Sequence, residues 1–361
     1  MKLTRRSPGQ KTESLIFARL SLLGDILMRV LQIQRKPLTT QFSVEGYFQR
    51  VRESFASGER PDVMLVPCYS RGIIPRLRNC LAVFRSRARI WHVTGDIHYV
   101  CCVLPKRSTV LTVLDCQVLS RLKGWRRAVL KYFWYTLPAR CVSRITVISE
   151  ETRRELLKEI DFPADQIHVI PVSVSPLFQP SVKLFDAKHV RVLQVGTKAN
   201  KNVDRLVQAL SGLPVHLEIV GPVNPALKTL LEDCRVSHTV SGRLTDEELV
   251  ERYRQADIIA FVSTHEGFGM PIVEAQCVER VCVTSNCSSM PEVAGSGACL
   301  VDPYSVESIR EGFVRVISDE RYRQDLIAEG RLNRQRFAAE KIAEQFREVY
   351  RLVEQESSAG L

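Results

Sequence analysis

What this chain lacks narrows it before any motif is read. None of its apolar stretches reaches the roughly 18 to 20 uncharged residues that a membrane-spanning helix needs. Its 11 cysteines are odd in number and scattered, with no two Cys-x-x-Cys pairs at zinc-finger spacing. The adjacent Cys101 and Cys102 cannot close on a metal as a knuckle does. A disulfide-stapled secreted domain is thereby disfavoured, and reduced thiols in a cytosolic protein are expected. Acidic residues are scarce in the first half: residues 1–180 hold 14 Asp and Glu against 29 Lys and Arg, a net charge of +15. The remainder carries 26 acids against 22 bases, so all the excess of the chain's +11 lies in the first half.

That local basicity fits a nucleic-acid binder, an anionic lipid surface or a pyrophosphate-linked acceptor. No nucleic-acid recognition motif accompanies the charge, so nucleic acid is not an expected partner. Residues 121–140, RLKGWRRAVLKYFWYTLPAR, concentrate it, setting Arg126, Arg127 and Lys131 among Trp125, Tyr132, Phe133, Trp134 and Tyr135. A basic helix with aromatics suits a membrane surface. Equally, it suits a half-buried helix whose aromatics are core and whose arginines are a solvated face.

With 361 residues the chain has room for two ordinary domains. Apolar, β-branched runs alternate with helical patterns, which predicts parallel sheets of the Rossmann type. The runs are MRVLQIQ, DVMLVP, RIWHVT, TVLTVL, RITVIS and IHVI, then VRVLQVG, HLEIVG, HTVSG, DIIAFVS, VCVTSN and ACLVDP. Between the two sets, residues 174–189 carry prolines and no period, and are read as the linker. Two doubly wound domains would face each other across a cleft at the carboxyl ends of their strands, where such folds bind ligands. In the last segment Phe337, Ile342, Phe346, Val349, Tyr350 and Val353 fall largely on one helical stripe. Residues 1–27 precede the first strand; they are read as an extension outside the fold, too broken by charge for a signal peptide, with Met28 as an alternative start.

The most informative stretch is STHEGFGMPIVEAQ, residues 263–276. A buried strand, DIIAFVS, leads through a glycine-rich turn into a helix that Pro271 suits at its start. N–H groups around Gly269 and Ile272 would then point out of the helix end, and Gly267 and Gly269 would let the backbone approach an anion. Carboxylates repel a phosphate, so Glu266 and Glu274, with seven residues between them, are better suited to hydroxyl groups: a sugar at one end and a ribose at the other.

This spacing resembles the signature of the retaining glycosyltransferases of family 4, which have the GT-B fold. QVGTKANKNVDRLVQAL (194–210), SGRLTDEELVERYRQADIIAFVS (241–263) and SSMPEVAGSGACLVDP (288–303) resemble matching blocks of that family's nucleotide-binding domain, in the same order. HVTGDIHYV and RITVISEETRRELL resemble its acceptor-side domain. The resemblance implies an α/β GT-B chain with two Rossmann-like domains facing a cleft, an acceptor-binding one over 28–180 and a nucleotide-sugar-binding one over 188–335. It also implies a last helix, 336–355, crossing back to the first domain.

Residue by residue, the resemblance puts Glu274 on the ribose hydroxyls, Glu266 on the transferred sugar and Lys201 on the diphosphate, where a fixed cation would stabilise the leaving group's charge. Gly196, Thr197, Gly267, Phe268, Gly269, Met270, Pro271 and Ile272 complete the donor side. Asp96 and His98, in a cluster with His92 around Gly95, are candidates for orienting the acceptor or the sugar, with Asp115 beside them. Arg126, Arg127 and Lys131 are assigned to an acceptor or membrane side. The implied activity is transfer of a sugar from a nucleotide-diphosphate donor, with retention, to a glycan or lipid-linked acceptor of polysaccharide assembly. The reaction would take place in the cytoplasm or on the inner face of the plasma membrane. No metal or other cofactor is expected, and no Asp-x-Asp motif occurs.

The chain also departs from the family pattern. Thr197 stands where an arginine is usual, with Lys198 next to it; Leu114 precedes Asp115 where relatives carry histidine; Glu279 and Val281 stand where glycine and proline are usual. Leu114 and Thr197 motivate the alternative reading, a non-catalytic relative that binds a nucleotide sugar as partner or sensor.

Overall fold

A computed structural model describes residues 30–37, 43–120 and 122–358; the predicted extension 1–27 lies outside the described residues. Strands β1 (Val30–Gln34), β2 (Asp62–Leu65), β3 (Ile90–Val93), β4 (Thr109–Val113), β5 (Arg144–Val147) and β6 (Ile167–Val169) form one sheet, in the order β2-β1-β3-β4-β5-β6. A second sheet contains β7 (Val190–Val195), β8 (Val215–Val220), β9 (Ser237–Ser241), β10 (Ile258–Phe261), β11 (Val281–Ser285) and β12 (Cys299–Val301), in the order β12-β11-β10-β7-β8-β9. All ten strand pairings are parallel. Each strand falls on one of the twelve apolar runs. Residues of β4, β5, β10 and β11 are buried on both faces, which explains why they read as runs rich in apolar and β-branched residues rather than as apolar–polar alternations.

The helices that matter below are α1 (Ser43–Glu53), α2 (Ile73–Phe84), α3 (Gly124–Lys131) and α4 (Glu150–Glu159) around the first sheet. Around the second are α5 (Val203–Leu210), α6 (Asp246–Gln255) and α7 (Met270–Val278); the last helix is α8 (Ala339–Ser358). Local chemistry fixes their starts. Ser149 caps α4 by accepting the Thr152 N–H at 3.0 Å, and Thr245 with Glu248 forms a reciprocal capping box on α6.

α8 crosses back to the first sheet as expected. Its Ile342, Ala343, Phe346, Val349, Tyr350 and Val353 are buried with Val30, Phe48, Val51, Ile90 and Val110 in one cluster. Phe337 does not share that stripe: it precedes the helix and packs on the second domain, its ring 5.7 Å from that of Phe268. Tyr350 also reaches a polar group, the buried His92, whose Nδ1 lies 2.8 Å from the Tyr350 hydroxyl and whose Nε2 lies 2.6 Å from Thr112 Oγ1. Burial pushes the His92 pKa down to about 3, so the imidazole is neutral and serves as an anchor for α8.

The order of each sheet reverses at one place, between β1 and β3 in the first and between β7 and β10 in the second. Loops leaving these four strands diverge there and open a crevice at the carboxyl end of each sheet.

Candidate active site

The crevice holds a cavity of about 420 Å³ lined from both domains. The first domain contributes Val44 and Tyr47 of α1, with Leu114, Asp115 and Gln117 after β4. The second contributes Lys198, Asn200 and Lys201 after β7, and the run Glu266–Pro271 after β10.

Its charged centre is one ion pair. Lys201 Nζ donates to Glu266 Oε1 at 2.8 Å, and Asn200 Nδ2 donates to the same oxygen at 2.8 Å. Both charged side chains are largely sheltered, 18% and 15% exposed, and Lys201 lies 4.6 Å over the centre of the Phe261 ring. Gly196 makes that placement possible: a Cβ there would come within 3.3 Å of Lys201 Cε, and its φ of +85° is the left-handed region glycine tolerates. The carboxylate, Asn200 and Lys201 thus form a donor and acceptor set in a partly dry pocket, able to bind hydroxyls and an anion together.

The backbone of the signature loop is held from behind. Ser288 Oγ and Ser289 Oγ donate to the Glu266 carbonyl at 2.8 and 2.9 Å, and Ser289 Oγ lies 2.6 Å from the Phe268 carbonyl as donor. From the opposite domain, Ser149 Oγ donates to the Gly267 carbonyl at 2.7 Å and Thr152 Oγ1 at 3.3 Å. A Cβ on Gly267 would stand 3.0 Å from the Leu114 carbonyl oxygen and 3.3 Å from Asp115 Cβ. Gly267 therefore serves the approach of the two domains, whereas the sequence suggested the approach of an anion. His265 Nε2 adds an interdomain contact, 3.4 Å from Glu155 Oε1.

Several residues assigned to the donor side have other partners in the fold. Ile272 is fully buried in the second core, and its N–H is taken by the Gly269 carbonyl at 3.0 Å, so it is not an open donor at the helix end. The Phe268 ring is turned into the same core. Thr197 directs its hydroxyl to the Pro222 carbonyl at 2.6 Å, whereas its neighbour Lys198 lines the cavity. Glu274 lies one helical turn deeper, with Oε2 accepting the Tyr253 hydroxyl at 2.6 Å. Burial raises its pKa to about 7, against the pull of Tyr253, Lys201 and Arg50.

On the first domain, Asp115 is at the cavity, but the other acceptor candidates are not. His98 is buried with Nδ1 2.8 Å from the Trp134 carbonyl and its ring edge-on to Tyr135; burial lowers its pKa. It positions the 132–136 turn and does not face the cavity, because the backbone coils into a 3-10 helix directly after Ile97. Asp96 is exposed and pairs with Arg35 at 3.0 Å, beside a second cavity of about 230 Å³ also lined by Lys36, Tyr69, Ser70, Arg71 and Trp134. Arg127 and Lys131 are both paired with Glu159 of α4, and Arg126 lies over Trp125. The basic face of α3 is therefore largely a structural one, although Trp125 and Phe133 remain exposed. Asn200, Ser149, Ser288 and Ser289 were not singled out from the sequence. Asn200 sits inside GTKANKN, which was the only signal available; the serines act through backbone carbonyls that no spacing encodes. Glu279 takes up a left-handed φ of 62° at the end of α7, where glycine is usual, and is held there by Arg331 at 2.6 Å and Arg334 at 3.5 Å.

Comparison with known proteins finds similar sequences and a shared fold. The chain is 28% identical over 210 residues to the serotype-specific mannosyltransferase WbdA of Escherichia coli, covering 51% of this chain and 26% of that protein. It is 27% identical over 230 residues to the O-antigen chain mannosyltransferase B of Escherichia coli, covering 58% of this chain and 60% of that one. The matches thus span about a quarter and under two thirds of these relatives' lengths. In three dimensions the chain superposes on Anabaena HepE, solved in complex with UDP and glucose, with a TM-score of 0.69 at 15% identity, covering 89% and 99% of the two chains. At that identity the likeness concerns the fold, which is GT-B. Residues 178–333 match the family profile of the glycosyl transferases group 1. The stretch that matches the group 1 glycosyl transferases is thus the second domain, which carries the Lys201–Glu266 pair and the loop leading into α7.

Proposed function

We propose that this chain transfers a sugar, with retention of anomeric configuration, from a nucleotide-diphosphate donor to a glycan or lipid-linked acceptor of polysaccharide assembly. The observation that carries the reading is the interdomain cavity in which Lys201, Lys198 and Asn200 converge with Glu266. In this reading Lys201 and Lys198 take the diphosphate in place of a metal ion and stabilise the charge that grows on it as the glycosidic bond breaks. Glu266, released from Lys201 when the phosphates arrive, turns to hydroxyls of the transferred sugar. Glu274 takes the ribose after its bond to Tyr253 opens. Acceptor and donor meet between Asp115 and Glu266, and closure of the domains excludes water. Leu114 removes the usual histidine from the cavity wall, so deprotonation of the acceptor falls to the leaving phosphate with Asp115 nearby. The names of the sequence relatives favour a mannosyl group as the one transferred.

The test is a thermal-shift screen against GDP-mannose, UDP-glucose and dTDP-sugars, followed by turnover of any donor that binds. A rise in melting temperature with one donor and transfer lost in Glu266→Ala supports the reading. Binding without turnover on any acceptor returns the chain to a nucleotide-sugar sensor, and no shift with any donor overturns both.

A further inference from the structure

α2 is an amphipathic helix presented the wrong way round. Ile73, Ile74, Leu77, Leu81 and Phe84 are exposed by 75, 66, 63, 49 and 68%. At about 100° per residue these five fall within a single arc of roughly 100°, the stripe a surface helix ordinarily turns to its core. The buried face instead carries Asn79 and Val83. Asn79 fixes this orientation: its side chain exchanges two 2.9 Å hydrogen bonds with the backbone of Cys68 and donates to the Tyr99 hydroxyl at 2.8 Å. Arg76 adds a second restraint, 5.2 Å from the centre of the Trp134 ring. The apolar face is therefore held outward by specific bonds, and among the described residues nothing covers it.

Its surroundings have one sign of charge. From Val63 to Gly95 the sequence contains Arg71, Arg76, Arg78, Arg85, Arg87 and Arg89 and no Asp or Glu. Arg71, Arg78, Arg85 and Arg87 are exposed and take part in none of the ion pairs of the described residues, whereas Arg89 pairs with Glu354. Arg78 and Arg85 flank the apolar arc on one side at the same helical spacing. A second copy of the chain would bring like charge to this face. The segment 1–28, with Lys2, Arg5, Arg6, Lys11 and Arg19 against Glu13 and Asp25, would do the same. A nucleic acid would be drawn by the arginines but would leave the aliphatic stripe in water.

We infer that the outward face of α2 docks the protein on an anionic lipid bilayer, with the Ile73–Phe84 stripe in the acyl boundary and the arginines on lipid phosphates. The surface lies at a useful place: α2 starts from the carboxyl end of β2, and Arg71 at its entry lines the cavity that also holds Arg35, Lys36 and Asp96. A headgroup at the bilayer surface is thereby brought to the acceptor side of the crevice. The inference does not depend on which donor the crevice takes.

The test is co-sedimentation of the full chain with vesicles of phosphatidylcholine, with and without phosphatidylglycerol. Binding is expected only with the anionic lipid and should fall as salt is added. Ile74→Glu with Leu77→Glu, and separately Arg78→Glu with Arg85→Glu, should each weaken it by about tenfold or more at an unchanged melting temperature, since all four side chains are exposed. Equal binding to neutral vesicles overturns the charge argument. Binding untouched by both pairs but lost in Trp125→Ser with Phe133→Ser, or on deleting residues 1–27, overturns the placement on α2. A dimer in sedimentation velocity that Ile74→Glu with Leu77→Glu dissolves, with no vesicle binding, identifies a second copy as the occupant and overturns the lipid.

Discussion

Lys201 Nζ stands 2.8 Å from Glu266 Oε1, so the candidate site neutralises its own charge before any ligand arrives. The pair is shared with Asn200 and roofed by the Phe261 ring, which keeps it in low dielectric, where exchange of one partner for another matters most. Under the proposed function a diphosphate would compete with Glu266 for Lys201 and free the carboxylate for the sugar, which would couple binding of the two halves of one donor through a single lysine.

From this pair follows a kinetic expectation. Lys201→Ala should lower kcat/KM for the donor on the order of 10²- to 10³-fold, the usual effect of removing one group that stabilises leaving-group charge. Steady-state kinetics with the donor found by thermal shift would measure it. A variant within threefold of the parent (roughly 0.6 kcal/mol) would take the diphosphate role away from Lys201.

Glu274 gives a pH-dependent stability of known sign. Its pKa is about 7 in the folded chain against 4.5 unfolded, so the folded state holds the extra proton. Stability therefore falls as pH rises from about 4.5 to 7 and then levels, by at most on the order of 3 kcal/mol. Glu274→Gln keeps an acceptor for Tyr253 and removes the titration. It should raise the melting temperature at pH 8 and change it little at pH 4.5, while weakening nucleotide binding if the ribose assignment holds. Equal shifts at both pH values would refute the linkage.

His92 has the opposite sign. Its folded pKa of about 3 lies below the unfolded 6.5, so the stability it contributes is complete above 6.5 and is lost as pH falls towards 3. Between about 4.5 and 6.5 the slopes of His92 and Glu274 oppose each other. Urea unfolding of Glu274→Gln over this range should therefore show a steeper acid-side loss than the parent. Tyr350→Phe, which leaves His92 Nδ1 without its hydroxyl, should cost roughly 1–3 kcal/mol at neutral pH.

Gly267 tests the interdomain seam. Gly267→Ala would set a methyl 3.0 Å from the Leu114 carbonyl and should destabilise by roughly 1–3 kcal/mol, or open the domains as seen in small-angle scattering. Gly242→Ala, with nothing within 4 Å, should be nearly neutral. An unchanged melting temperature and scattering profile for Gly267→Ala would mean that the domains do not close on this loop.

The two sheets were legible because strands of a parallel sheet covered by helices are rich in apolar and β-branched residues, and twelve such runs stand out in the sequence, although the edge strands β2 and β9 are largely exposed. Of the residues that line the cavity, Glu266 to Pro271, Lys198 and Lys201 were legible because they lie in short loops that follow a readable strand; Asn200, between the two lysines, was not. Residues around a turn or a buried polar contact were not. His98 and His92 follow the same pattern of histidine near a strand end, yet one supports the 132–136 turn and the other anchors α8, because the partners, Trp134 and Tyr350, lie 36 and 258 residues away. Basic residues in 121–140 suggested a lipid surface, but Glu159 takes Arg127 and Lys131 in the fold, whereas Arg71, Arg78, Arg85 and Arg87 around α2 take part in none of the ion pairs of the described residues.

By itself, then, the sequence determined the order of the elements, the loop that leads into α7 and the types of charge available, since these depend on local periodicity and local turn chemistry. Only the tertiary structure decided which charges meet, that Gly267 serves the seam between domains, and that α2 turns its apolar stripe outward. Each of these depends on distances between residues remote in the chain, and on a buried asparagine whose bonds outweigh the helix's own hydrophobic pattern.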